Sequence, residues 1–125
     1  TFTIAHAGTV AATVVYRAAV MSGTVAVAFE RVDDQRAIET WVQTFVRAVG
    51  HTGFISFDMI VDQAGRAFAI ECNPRATSGI HFIETEDLAA AILDDSGSTS
   101  PRFKSNRFMQ QFYPTLTETQ KSIFT

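Results

Sequence analysis

The stretch GFISFDMIVDQAGRAFAIECNPR, from Gly53 to Arg75, constrains this chain more than any other. It reads as two β-strands, 53–62 and 66–72, joined by a tight turn at Ala64-Gly65. Alternate side chains of a strand share a face. Ile55, Phe57, Met59 and Val61 then form the core side of the first strand, with Ser56, Asp58 and Ile60 opposite. On the second strand, Phe68, Ile70 and Cys72 are expected to face the core. Ala67, Ala69, Glu71 and Asn73 take the other side, where the small alanines leave room for a ligand. Acids inside an apolar hairpin are costly without a charged or hydrogen-bonding neighbour, so the question is what sits beside them.

The answer depends on register. Asp58 and Glu71 are 13 positions apart. A two- or four-residue loop sets them directly opposite each other, whereas a three-residue loop ending at Gly65 sets Asp58 opposite Ile70. The first register is expected, because it gathers the apolar residues of the second strand onto the apolar face of the first. Opposed residues have β-carbons about 5 Å apart. Two carboxylates that close either share a proton or flank a cation. Asn73 adds a neutral oxygen on the same face, and such hard donors suit Mg²⁺ or Mn²⁺ rather than Zn²⁺. Arg75 follows, with a planar fork matched to phosphate or carboxylate. Spacing alone serves equally well an acidic pair on a solvated strand face.

The rest of the chain reads as an α+β domain, an antiparallel sheet packed against helices. Residues 2–6 and 10–20 form a hairpin around Ala7-Gly8, and 24–32 a third strand. Asp33 or Asp34 caps a helix whose apolar stripe is Ile38, Trp41, Val42, Phe45, Val46 and Val49, ended by Gly50. A second helix covers 84–94, with Leu88, Ile92 and Leu93 inward. Residues 95–106 read as a loop, and 117–124 as a short helix. Phe103, Phe108, Phe112 and Tyr113 in the tail need a surface to cover.

With 125 residues, 46% of them hydrophobic, the chain suits one domain with a real core. Only Lys104 and Lys121 are lysines, and the eight arginines are scattered at a net charge of −3, which argues against nucleic acid. No apolar run approaches the roughly 20 residues of a membrane span. The single cysteine, Cys72, excludes an internal disulfide framework and reads as a buried small hydrophobe. A reducing, cytoplasmic setting is the expectation. His6 reads as packed or edge-exposed rather than catalytic, His51 as a loop residue, and His81 has the best functional claim of the three histidines. The chain opens without Met, inside an apparent strand, and so reads as a piece of a larger protein.

Gly53, Asp58, the turn ending at Gly65 and the run Glu71-Cys72-Asn73-Pro74-Arg75 together resemble the ATP-grasp superfamily of ATP-dependent carboxylate ligases. ECNPRATSGIH is similar to the ATP-grasp enzymes related to the carbamoyl-phosphate synthetase large subunit. The close motif covers about 30 residues, and the order of elements extends the likeness over residues 1–94, with 95–125 as a loop and aromatic-rich tail. The resemblance implies the second subdomain of a grasp fold, with ATP and Mg²⁺ (or Mn²⁺) as cofactors. It implies that Asp58 and Glu71 bind the metal, that Asn73 completes its second site and that Arg75 is catalytic, steadying the γ-phosphate or an acyl phosphate. Ile60 would line the nucleotide pocket, Arg17 would meet an anionic group, and Ser78, Gly79 and His81 would approach the acceptor substrate. The implied reaction is attack of a small substrate carboxylate on the γ-phosphorus, followed by displacement of phosphate by an amine or other nucleophile.

The chain carries no glycine-rich phosphate loop, no early lysine for the α- and β-phosphates and no adenine-contacting hinge. It is therefore expected to be inactive alone and to need the missing N-terminal part. Its open ligand face is expected to favour a homodimer. The alternative is a non-catalytic α+β binding or assembly module with the same fold.

Overall fold

The computed structural model describes residues 1–94, 96, 99–111, 116, 119–121 and 123. Its first sheet has the strand order β2-β1-β5-β6, all neighbours antiparallel. The strands are β1 (Phe2–His6), β2 (Thr9–Val14), β5 (Gly53–Val61) and β6 (Ala67–Asn73). A second sheet, β3-β4-β7, comprises β3 (Tyr16–Ser22), β4 (Val25–Arg31) and β7 (Phe108–Gln110). The α+β class read from the sequence is the one observed.

The expected single strand over 10–20 is two strands in two sheets. The ladder from β1 ends at Val14, and the Val15 carbonyl accepts from Val32 N–H at 2.9 Å, so the chain crosses over there. Val15 is buried against the first helix, and that packing turns the strand away from its partner.

That helix, α1 (Arg36–Val49), buries Ile38, Val42 and Val46 on the first sheet, as its three-and-four spacing predicts. Gly50 ends it in the left-handed conformation at φ +62°, and its N–H reaches the carbonyls of Arg47 and Val46. The expected aspartate cap is not formed: Gln35 holds the cap position without a side-chain bond. Asp34 takes a left-handed backbone at φ +60°, and Asp33 pairs with Arg31 and Arg107.

The opposite face of the first sheet carries Phe2, Ile4 and Val14 against Phe82, Ile83 and Ala91. These come from a 3₁₀ turn (Ser78–Phe82) and from α2 (Thr85–Leu93), with Ile83 between them. Phe2, Phe57 and Phe82 are each at most 1% exposed, and burial of that kind contributes roughly 1.5–3 kcal/mol per side chain. Leu88 packs here as expected, but Ile92 and Leu93 are 39% and 80% exposed, because Ala91 occupies the inward position.

Residues after α2 return to the body. Ile83 bridges Phe103, Glu84 N–H bonds the Arg102 carbonyl, and Lys104 N–H bonds the Phe82 carbonyl at 2.8 Å. Phe103 lies under the Arg31 guanidinium, 5.2 Å from ring centroid to cation. Phe108 begins β7, which the loop-like composition of this region concealed. Phe112, Tyr113 and most of the expected helix 117–124 lie outside the described residues. Among the described residues no helix is long and apolar enough to cross a membrane.

Candidate functional site

Asp62 organises the turn of the acidic hairpin. Its Oδ1 accepts from the N–H groups of Ala64 (3.0 Å) and Arg66 (2.8 Å), and Arg66 Nε donates to Oδ2 at 2.8 Å. The Arg66 N–H, more than any other contact, holds the Asp62 carboxyl below its ordinary value. Gly65 sits at φ +78°, where a side chain is strained. Val61 pairs with Ala67, Ile60 with Phe68 and Met59 with Ala69. That ladder belongs to the three-residue loop, the one that leads Asp58 to Ile70. A β-bulge intervenes between the Met59 and Asp58 pairs, and Ile70 is the residue left over. Beyond it Asp58 stands opposite Glu71, Phe57 opposite Cys72 and Ser56 opposite Asn73. The expected pairing is present, but a bulge produces it rather than the expected loop.

The faces of β6 are reversed from the expectation. Ala67 and Ala69 pack toward α1, while Phe68 and Ile70 are 48% and 65% exposed. Cys72 is exposed as well, not core. The cause is aromatic volume on the helix. Trp41 and Phe45 stack on each other and meet the Phe57 ring at centroid distances of 5.0 and 5.1 Å. Only small residues fit beneath that layer, so the alanines make room for a helix rather than for a ligand.

Asn73 Nδ2 donates to Glu71 Oε1 at 3.0 Å, which ties two of the three expected metal ligands together. Asp58, Glu71 and Arg75 are solvent-exposed. Beside Asp58, the Thr1 nitrogen donates to the Phe57 carbonyl at 2.6 Å, a bond that an amine or a peptide N–H makes equally well. As an amine its pKa is lowered to about 6 by burial, against the opposing pull of Asp58. Arg75 N–H bonds the Asn73 carbonyl at 2.8 Å, and its Nη1 reaches the Ala76 carbonyl at 3.3 Å.

The loop that follows is held by hydroxyls that sequence reasoning missed. Ser56 Oγ donates to the Arg75 carbonyl at 3.1 Å and lies 3.0 Å from Thr77 Oγ1, which also accepts from the Tyr16 hydroxyl at 2.9 Å. Ser56 is 2% exposed, so its bonds are made away from water. Its place two residues before Asp58 was a usable signal; Thr77 and Tyr16 carried none.

The other candidates separate. Arg17 shares a cavity of about 470 Å³ with Asp58, where its guanidinium bonds Glu30 Oε2 at 2.7 and 2.9 Å. Ile60 is 53% exposed on the hairpin and outside that lining. Ser78 Oγ accepts from Gln111 Nε2 at 2.7 Å. Gly79 is buried, and a β-carbon there would meet Phe2 Cβ and Tyr16 Cε1 at 2.6 Å, so its need is packing. His81 lines a different cavity, with Lys104 and β7.

As a donor set, two carboxylates and an amide oxygen supply three hard ligands. Octahedral Mg²⁺ then leaves about three positions for water or phosphate oxygens, so the residues fit a nucleotide-bridged ion. Among the described residues no three His, Cys, Asp or Glu side chains converge as a self-sufficient metal site. Comparison with protein-family models, curated proteins and solved structures finds no match.

Proposed function

We propose that the Asp58–Glu71–Asn73 face holds a Mg²⁺–nucleotide, and that the chain is the second-subdomain half of an ATP-grasp carboxylate ligase. The observation that carries this reading is the bulge at Ile70, which restores opposition of two acids that the turn alone would have offset. Bulges next to functional sites re-aim side chains in this way. Asp58 and Glu71 hold the ion, and Asn73, already bonded to Glu71, adds its amide oxygen. Arg75, exposed beside them, offers a fork to a phosphoryl oxygen. Arg17 shares the cavity of Asp58 and can exchange Glu30 for an anion. The ion, when bound, supplies charge neutralisation on the β- and γ-phosphates. The acceptor carboxylate, its nucleophile and a cytoplasmic setting belong to the same reading.

The test is paramagnetic. Mn²⁺ titrated into the chain is expected to broaden the amide resonances of Asp58, Glu71 and Asn73 first, and Asp58→Asn with Glu71→Gln is expected to abolish this. Broadening spread evenly over the acidic residues, or unchanged in the double variant, would rule the site out. A second reading, a non-catalytic binding module, draws on the exposed Ile60, Phe68 and Ile70 on the same hairpin. Asp58→Ala in the full-length protein separates the two: the ligase reading requires ATP turnover to collapse with the fold retained, whereas the module reading leaves partner binding intact.

A further inference from the structure

β2 and β6 are the two edges of the first sheet, and β2 lies on the side away from the acidic hairpin. Two adjoining cavities, of about 220 and 300 Å³, run along β2 and share Thr13, Glu39 and Phe103. Val10, Ala11, Ala12 and Thr13 all line the first, and Thr13 and Val14 the second. Side chains of a strand alternate between its faces. A hollow that touches consecutive residues therefore lies along the strand's edge, against its backbone. One wall is α1, with Glu39 and Gln43, and the other is Ser100, Pro101 and Phe103. The second wall is bonded elsewhere: Glu84 N–H takes the Arg102 carbonyl, and Ile83 bridges Phe103. Among the described residues no backbone bond joins β2 to any strand but β1.

An open edge presents a row of N–H and C=O groups that an added strand can pair. Ala11, Ala12 and Thr13 are small, so a second backbone can come close. Charge then selects the strand. Asp33, Asp34 and Glu39 line the end of the groove near Val14, and Arg31 is the only base in that lining. Arg31 is committed: its Nε bonds Asp33 at 3.0 Å, its Nη1 bonds the Lys104 carbonyl at 2.7 Å, and its guanidinium covers the Phe103 ring. Among the described residues Asp34 and Glu39 stand in none of the ion pairs. Carboxylates without a counter-charge beside an open backbone edge are the complement of a basic strand. A second copy's β2 would bring its own two walls, rim against rim, so the groove fits a single free segment.

We propose that the edge of β2 takes up an extended basic peptide, which adds a strand to the first sheet and sets a lysine or arginine against Glu39 and Asp34. The site does not depend on nucleotide binding at the acidic hairpin, which lies at the other edge of the sheet. The probe is a capped pentapeptide of alternating valine and lysine, titrated into the chain at constant ionic strength and followed by amide resonances. It is expected to shift residues 10–14, Glu39 and Phe103 saturably and to slow hydrogen exchange at alternate residues of β2. The same peptide with glutamate for lysine is expected to bind about fivefold more weakly or worse. The lysine peptide N-methylated at every residue is expected to lose binding, because it has no N–H to give the edge. Glu39→Gln is expected to weaken the lysine peptide about threefold and not to weaken the glutamate peptide. Shifts that do not saturate or that fall away from β2, equal affinity for the glutamate peptide, or undiminished binding of the N-methylated peptide would overturn the proposal. Unchanged affinity for the lysine peptide in folded Glu39→Gln would overturn it as well. Shifts at residues 10–14 that follow the protein's own concentration without peptide would give the edge to a second copy and also overturn it. The peptide series is read on the unaltered chain, so the outcome does not wait on the variant.

Discussion

Asp58 and Glu71 face each other as like charges across a ladder, an arrangement that costs stability unless a cation lies between them. Asp58→Asn is therefore expected to stabilise the metal-free chain by up to about 1 kcal/mol while removing Mn²⁺ binding. Urea midpoints with and without the ion measure both halves of that trade. A loss of stability in the metal-free variant would show that the pair is not under strain. Gly79 makes the opposite case, a residue whose worth is its missing side chain. Gly79→Ala pushes a methyl into Phe2 and Tyr16 and is expected to cost about 1–3 kcal/mol, read as a lowered urea midpoint. The types and positions of Asp58, Glu71, Asn73 and Arg75 were legible in the chain because acids in an apolar alternation stand out. The need for glycine at 79 was not, since it comes from Phe2 and Tyr16, which are far off in sequence.

At the scale of elements, the hairpin shows how a local rule can be right while its mechanism is wrong. The turn is the three-residue kind closed by Asp62, and the bulge at Ile70 compensates for it. Deleting Ile70 is expected to regularise β6 and leave Asp58 opposite Glu71. Cross-strand nuclear Overhauser contacts between the two residues check this, and a contact from Asp58 to Cys72 instead would refute it. The link between α2 and the following segment is electrostatic. Arg102 Nε and Nη2 bond the Asp87 carboxylate at 2.8 and 2.9 Å, and with them the Arg102 N–H holds its pKa at about 2, down from 3.8. Because the folded pKa lies below the unfolded one, this pairing contributes stability above about pH 4 and loses it as pH falls toward 2. In the variant Arg102→Gln, which removes the guanidinium but keeps the backbone N–H, the midpoint of the Asp87 carboxyl resonance is expected to rise from about 2 while staying below 3.8. A midpoint still near 2 would assign the shift to something other than the arginine side chain.

For the whole molecule, the first sheet is sandwiched between α1 on one side and the 3₁₀ turn with α2 on the other, and the acidic hairpin projects at the β6 edge of that sheet. If the hairpin is the nucleotide half-site proposed above, its exposure would make binding weak, because ordering the ligand would be offset by few contacts. Micromolar Mg²⁺–ATP is expected to leave the melting temperature of this chain unchanged, whereas stabilisation of several degrees at that concentration would mean a complete pocket. Thermal melts across an ATP series settle the point.

The sequence by itself determined the class of the fold, the helix α1 with its glycine stop and the acidic motif, because each is written in local periodicity or in a short run of residue types. Only the tertiary structure decided which face of β6 is buried, where the strand over 10–20 divides, that β7 exists, and that Lys104 and His81 line one cavity. Those outcomes depend on volumes and partners brought from distant positions: the Trp41–Phe45 layer over the alanines, Val15 beneath α1, and β4 offering its edge to 108–110. Alternation along a strand states that two faces differ; the mass packed against it states which one is inside.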